Sequence, residues 1–320
     1  MHRSSIELQN LIEPHKPSFC QARVTGSTGL NVLSLFDGMS CGQIALQKAG
    51  IKVNQYFASE IKPHAIKVTQ HNFPNTIQIG SVLDVKASDL PKIDLLIGGS
   101  PCQDFSSANK EKLGLQGEKS GLFYEYLRLL KECEPKYFLL ENVAMDDYSY
   151  AAISEMLGTY PTNINSELVS GQLRQRSYWT NIGPESFDLF GNRYSMIPQP
   201  RNKKIKFQDV LENGYTDRLK ARCILESESR PLVSKDKLFR RYNELGFINI
   251  VFDNPNCEYN ENIRILTQTE LERLQTVPEG YTSLLKRNDA ACLLGDGWTV
   301  DVIAHIFSFI EVECSNYAQS

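Results

Sequence analysis

The chain has no run of eighteen apolar residues in its 320, so nothing in it reads as a membrane-spanning helix. Met1–Pro14 lacks the apolar stretch of a secretory signal, which argues against export. Eight cysteines (Cys20, Cys41, Cys102, Cys133, Cys223, Cys257, Cys292, Cys314) form no Cys-x-x-Cys pair, and there is no His-x-x-x-His. Their scatter excludes a disulfide framework and a zinc site as organising devices, so any special cysteine must be special singly. A reducing, intracellular setting is expected. There is no Gly-Lys-Ser/Thr of a phosphate loop, no full Gly-x-Gly-x-x-Gly of a dinucleotide site and no internal repeat. Excess positive charge is lacking too: 34 Lys and Arg stand against 38 Asp and Glu, a net charge of −4, so the whole chain is not a basic polymer binder.

What is present is 41% hydrophobic content, enough for one large domain and a smaller one. Charge is segregated: Arg201–Arg241 holds twelve Lys and Arg against six Asp and Glu, +6, which leaves −10 for the remainder. Such a segment suits local neutralisation of phosphates, although a solvated charged loop has the same composition.

From Asn31 the chain alternates strand-like and helix-like segments: Asn31–Phe36, a helix Cys41–Ala49, Gln55–Ser59, a helix around His64–His71, Ile93–Ile97, a helix Leu122–Lys131 and Tyr137–Leu140. The central strands are apolar throughout, as parallel strands covered on both faces must be. The expected fold is α/β, a Rossmann-like, doubly wound, mostly parallel sheet. After Gly183 the pattern gives way to a Pro-, Asn- and charge-rich stretch with short alternating segments such as Phe247–Phe252, read as an inserted small domain. Helical spacing returns at Thr269–Gln275, capped by Thr267 or Thr269, and ends in Val300–Ile310. The expected division is an extension 1–29, a core of 30–182 with 262–314, and an insert 183–261.

Two polar clusters stand at the ends of apolar strands, where open α/β sheets build their sites. Ser100-Pro101-Cys102-Gln103 follows Gly98-Gly99, and 39 residues past Cys102 comes Glu141-Asn142-Val143. A thiol and a carboxylate that meet there propose a nucleophile and a proton donor, whereas a lone cysteine is elsewhere a small core residue. Phe36-Asp37-Gly38-Met39-Ser40-Cys41-Gly42 lies between the first strand and helix, as a ligand loop or as a plain tight turn. Glu60 ends the second strand 23 residues after Asp37, placed to accept the hydroxyls of a ribose. Asp84, at the expected end of a third strand, is placed to meet an adenine amino group. The loop Ser106–Gly121, with Lys110, Lys112 and Lys119, has the composition of a lid over a polyanion and equally of an ordinary surface loop. Arg174 and Arg176, two apart, fall on one face of an extended segment and suit a base carbonyl, a phosphate or Glu141.

Taken in order, these segments resemble the cytosine-5 DNA methyltransferase family over residues 31–182 and 262–312. The resemblance implies S-adenosyl-L-methionine as methyl donor and S-adenosyl-L-homocysteine as product. It implies cofactor contacts at Phe36, Asp37, Gly38, Met39, Cys41, Glu60, Ile61, Asp84, Val85, Ser100, Pro101 and Leu122. It makes Cys102 the nucleophile, Glu141 the proton donor, Arg176 the group at the base carbonyl and Arg174 its support, with Ser100, Gln103, Asn142 and Val143 at the substrate. Arg264-x-Leu266-Thr267-x-x-Glu270-x-x-Arg273-Leu274-Gln275 is similar to the family's late motif. The last motif, usually Gly-Asn-Ala/Ser-Val, here reads Gly295-Asp296-Gly297-Trp298-Thr299-Val300. With Phe36-Asp37-Gly38 this resembles the mammalian de novo DNA methyltransferase catalytic domains and implies a cofactor contact at Trp298.

In family terms the insert is a target-recognition domain for double-stranded DNA. Lys203, Lys204, Lys206, Arg240 and Arg241 are expected at phosphates, and Arg218, Lys220 and Arg222 at base edges. A monomer in the cytoplasm of a bacterial or phage-infected cell is expected, with a cognate restriction endonuclease as candidate partner and no membrane. The alternatives are an RNA cytosine-5 methyltransferase, whose branch carries a Cys-Phe-Thr signature absent here, and a catalytically silent regulatory paralogue, which would lack the nucleophile.

Overall fold

The protein is described by a computed structural model, which covers residues 29–100, 121–230, 234–246 and 248–311. Its central sheet has seven strands in the order β3-β2-β1-β4-β5-β7-β6 among the described residues. These are β1 (Leu30–Leu35), β2 (Val53–Ser59), β3 (Ile77–Gln78), β4 (Leu95–Gly98), β5 (Tyr137–Val143), β6 (Thr162–Asn165) and β7 (Gln175–Thr180). The first five run parallel. β7 is antiparallel to both β5 and β6. The chain leaves β1 to one side for β2 and β3, then returns to its other side for β4 and β5, so a crevice opens at the carboxyl ends of β1 and β4.

Apolar alternation along each strand divides the core into two layers. Val32, Ala58, Leu95, Ile97 and Leu139 pack with helices α1 (Cys41–Lys48), α7 (Arg287–Asp296) and α8 (Val300–Phe307). Leu33, Leu35, Leu96, Phe138 and Leu140 face the opposite way, toward α3 (Gly121–Cys133) and α4 (Asp147–Leu157). That is why β4 is wholly apolar and β5 is apolar up to Glu141, while β1 is apolar apart from Asn31 and Ser34. α2 (Pro63–Asn72) starts on a proline, whose missing N–H is not needed there. α6 (Gln268–Leu274) starts on Thr267, with Glu270 completing a capping box. Arg287–Phe307, mean hydropathy 1.3, is apolar and long enough to cross a bilayer, but it comprises α7 and α8, interrupted at Gly297–Thr299 and mostly buried in the protein.

Residues 183–261 contain a hairpin of β8 (Glu185–Phe187) and β9 (Arg193–Ser195), and α5 (Lys235–Arg240). Leu238, Tyr242, Ile248, Ile250 and Phe252, joined by Ile263, make a small third core. Phe207, Val210, Ala221 and Ile224 of the same stretch instead pack into the main core.

Two readings of the sequence are corrected. Asp84 does not end a third strand: β3 stops at Gln78, the chain turns at Gly80 (φ 76°), and Asp84 lies in the single 3-10 turn Val82–Asp84, capped by Ser81. Of the alternating segment Phe247–Phe252, the described residues 248–252 form no strand: Phe252 and Val251 make only single bridges, to Tyr215 and Arg264, with Phe252 packed in the third core and Val251 in the main one. α4 and β6 went unread, although Asp146 caps the start of α4 and Gly158 (φ 66°) its end.

Candidate active site

The register that aligns Gly98 with Leu140 sets Glu141 beside Gly99, and β7 places Tyr178 opposite Glu141 and Arg176 opposite Val143. Glu141 and Arg176 are thus diagonal neighbours on one sheet face, close enough for long side chains to meet. Arg176 Nε lies 3.0 Å from Glu141 Oε1, with both side chains largely buried. Trp298 Nε1 donates to Glu141 Oε2 at 3.2 Å. Asn142, buried, donates through Nδ2 to Ser100 Oγ at 3.1 Å and so ties the ends of β4 and β5 together. Pro101, Cys102, Gln103 and the expected lid up to residue 120 lie outside the described residues; Ser100, two positions before Cys102, is the last one described on that side.

Arg174 is 3% exposed. Its guanidinium donates to Cys223 Sγ (3.1 Å) and to the carbonyls of Ile224 (3.0 Å), Gly295 (3.1 Å) and Gly297 (2.8 Å). Arg174 and Arg176 therefore do different things: one is spent on backbone, the other on a carboxylate.

At the end of β1, Phe36, Gly38 and Ser40 all take left-handed backbone (φ 56°, 58° and 59°). Only the glycine does so freely, which ascribes strain to this turn. Asp37 holds it, accepting from Tyr56 Oη at 2.7 Å and from Ser40 Oγ. Burial lifts the Asp37 carboxyl to about 6 against the lowering effect of the Ser34, Ser40 and Tyr56 hydroxyls. Met39 and Cys41 are buried in the core, and Met39 O accepts from Tyr281 Oη at 2.6 Å. Burial pushes the Cys41 thiol up to about 12 and Cys292 up to about 11, so neither offers a thiolate near neutral pH.

Glu60 directly follows β2. Its Oε2 accepts from Gly38 N (2.8 Å), and its Oε1 from Ile61 N (2.7 Å) and Lys62 N (2.8 Å). Ile61 is 71% exposed and Leu83 65% exposed, beside Glu60 and Asp84 in the chain. Asp84 is exposed, Val85 buried, and Leu122 half-buried at the start of α3.

The insert's cations divide. Arg218 donates to the carbonyls of Ile248 and Tyr242, both at 3.0 Å, and sits 3.7 Å over the Tyr242 ring. Lys220 donates to the carbonyls of Glu167, Ser170 and Ile205. Both are braces rather than outward groups. Lys203 pairs with Asp301 at 2.5 Å, and Arg240 with Glu244 at 3.4 Å. Lys204, Lys206 and Arg222 are exposed, and Arg241 is half-buried. What motif reading missed is the bond between Trp298 and Glu141. It joins residues 157 apart in the chain, and no local spacing signals it.

Residues 30–146 match the C-5 cytosine-specific DNA methylase family. The type II methyltransferase M.NlaIV of Neisseria lactamica is 37% identical over 215 residues, 64% of this chain and 49% of that protein. The type II methyltransferase M1.ScrFI of Lactococcus lactis subsp. cremoris is 28% identical over 281 residues, 78% of this chain and 70% of that protein. The chain thus spans about half the length of M.NlaIV. Among solved structures, the Entamoeba histolytica methyltransferase EhMeth superposes with a TM-score of 0.63 at 16% identity, covering 88% of this chain and 98% of that one, a likeness of fold.

Proposed function

We propose that this chain, a member of the cytosine-5 DNA methyltransferase family through residues 30–146, methylates carbon 5 of cytosine in double-stranded DNA. The observation that carries the reading is the Glu141 carboxylate, held on one oxygen by Arg176 and on the other by Trp298 at the strand end that neighbours Ser100. In this account Cys102 thiolate adds to carbon 6, forming a sulfur–carbon bond. Glu141 delivers a proton to ring nitrogen 3, and Arg176 steadies the base carbonyl. The ring becomes an enamine with its electron density at carbon 5. S-adenosylmethionine, held by the residues at the β1/β4 crevice, would supply an electrophilic methyl group to carbon 5, its sulfur–methyl bond breaking to give S-adenosylhomocysteine. Loss of the carbon 5 proton to a base then expels Cys102, and the nitrogen 3 proton returns to Glu141. A stacked cytosine hides carbon 6, so the base must leave the helix, at a cost of about a few kcal/mol.

The residues near the β1/β4 crevice fit such a donor. Around Gly38, no atom comes within 4 Å of where a Cβ would stand, so the strained turn presents its backbone to open space. A carboxylate offers about four acceptor positions. Glu60 uses three on backbone N–H groups and keeps one, on Oε2, for a ribose hydroxyl. Phe36, Ile61, Asp84, Val85, Leu122 and Trp298 complete the proposed cofactor site. Residues 30–182 with 262–314 form the catalytic domain in this reading, and 183–261 the target-recognition domain, which turns Lys204, Lys206, Arg222 and Arg241 toward DNA. A cytoplasmic site of action and a cognate endonuclease belong to the same proposal.

The test is a base-resolution cytosine-methylation map of DNA from a methylation-free bacterial host that expresses the protein. Methylation confined to one short motif is expected; DNA indistinguishable from that of the uninduced host overturns the reading.

A further inference from the structure

We propose that Trp298 is a positioning residue for the Glu141 carboxylate, so that the two arginines of Gln172-x-Arg174-x-Arg176 govern opposite oxygens of one group, Arg176 directly and Arg174 through Trp298. The inference rests on the reading of Glu141 as proton donor. Arg176 Nε lies 3.0 Å from Oε1, and the indole Nε1 lies 3.2 Å from Oε2. With one donor on each oxygen the carboxyl group cannot rotate freely, and its direction toward a bound base is set before the base arrives. Unlike a second guanidinium, an indole N–H brings no formal charge to a group that must give up a proton and take it back.

The indole is itself held from both sides. Trp298 sits on the short connection between α7 and α8. The carbonyl before it, Gly297 O, accepts from Arg174 Nη2 (2.8 Å) and Gln275 Nε2 (3.0 Å). The residue after it, Thr299, donates through Oγ1 to Gln275 Oε1 (2.9 Å) and accepts from Ser166 Oγ (2.9 Å). Thr299 is buried and Gln275 fully so, which fixes the approach of the ring. Space is cut to match. A methyl group at Gly99 would stand 2.9 Å from the indole nitrogen and 3.0 Å from Glu141 Oε2, so only glycine leaves room for that bond. The six-membered edge of the same indole approaches Gly42, so one ring links the ligand loop after β1 to the carboxylate at the end of β5.

Trp298→Phe keeps an aromatic ring and removes the N–H. We expect kcat to fall about tenfold or more, the loss of one hydrogen bond to a charged group, with the cofactor KM changed by less than about threefold. A higher KM with unchanged kcat would make Trp298 a cofactor contact only and overturn the proposal. A second readout needs neither DNA nor cofactor. The chain has two tryptophans, and the other, Trp179, is fully buried with Nε1 on Ser154 Oγ at 2.9 Å. The spectrum of the intact protein minus that of W298F therefore isolates Trp298 emission. Glu141→Ala is expected to shift that emission, and an unmoved spectrum overturns the contact. A shift in a protein that transfers no methyl group to cytosine would leave the contact standing and overturn the reading of Glu141 on which its role depends.

Discussion

Replacing Arg174 by methionine separates structural from chemical arginine. Arg174 is 3% exposed, and its guanidinium serves Cys223 Sγ and the carbonyls of Ile224, Gly295 and Gly297. Methionine fills most of the volume but donates nothing. Gly297 O keeps Gln275 Nε2 at 3.0 Å, and Ile224 O keeps only the long contact with Cys223 Sγ at 3.5 Å. Two carbonyls, of Ile224 and Gly295, are thus left essentially unpaired in a dry site. At about 1–3 kcal/mol each they cost roughly 2–6 kcal/mol. Removal of a buried charge returns part of its desolvation penalty, so a net loss of about 2–4 kcal/mol is expected. Arg176→Met instead removes the cation on Glu141 Oε1, and methyl transfer should collapse. Urea unfolding followed by circular dichroism measures the stability lost in R174M, with the slope of the transition unchanged. R174M within about 1 kcal/mol of the unmodified protein, or methyl transfer unchanged in R176M, would refute the reasoning.

Glu228 is 9% exposed, and burial lifts its carboxyl from 4.5 to about 7 against the opposing pull of Arg287. The folded-state value lies above the unfolded one, so its contribution to stability is fully present below about 4.5 and is lost as pH rises through about 7. Glu228→Gln should therefore match the unmodified protein near pH 4 and exceed it by up to about 3 kcal/mol at pH 8 in urea unfolding; an equal difference at both pH values would contradict this. For DNA affinity, Lys204→Ala and Lys206→Ala should each lower the slope of log affinity against log salt by about 1. Lys220→Met, which removes a brace bonded to three carbonyls, should leave that slope unchanged; a loss at Lys220 and none at the other two would reverse the assignment.

Apolar strands covered on both faces are legible in a sequence, because burial on two sides leaves β4 wholly apolar, β5 polar only at Glu141 and Asn142 near its carboxyl end, and β1 with only Asn31 and Ser34. The placement of Glu60, and of Glu141 beside Arg176, could be read for that reason. Asp84 could not: a two-residue edge strand carries no periodicity, and a one-turn helix after Gly80 resembles a strand end. α4 was hidden because its polar and aromatic residues blur the apolar stripe, leaving only its caps as signals. Charge is the least legible property. Arg218 and Lys220 count as positive residues of the insert, yet their charges lie on main-chain carbonyls, a destination set by tertiary packing alone. The indole bond from Trp298 to Glu141 is of the same kind, since it exists only once α7 and α8 dock on the sheet.

The most direct test of the central claim uses DNA with 5-fluorocytosine at the methylated position. Fluorine cannot leave carbon 5 as a proton does, so the sulfur–carbon bond made by the nucleophile persists after methyl transfer. The account predicts a denaturation-resistant complex of protein and DNA that requires S-adenosylmethionine, and mass spectrometry that places the adduct on Cys102. Its absence with active protein, its persistence in Cys102→Ala, or an adduct on another cysteine would contradict it.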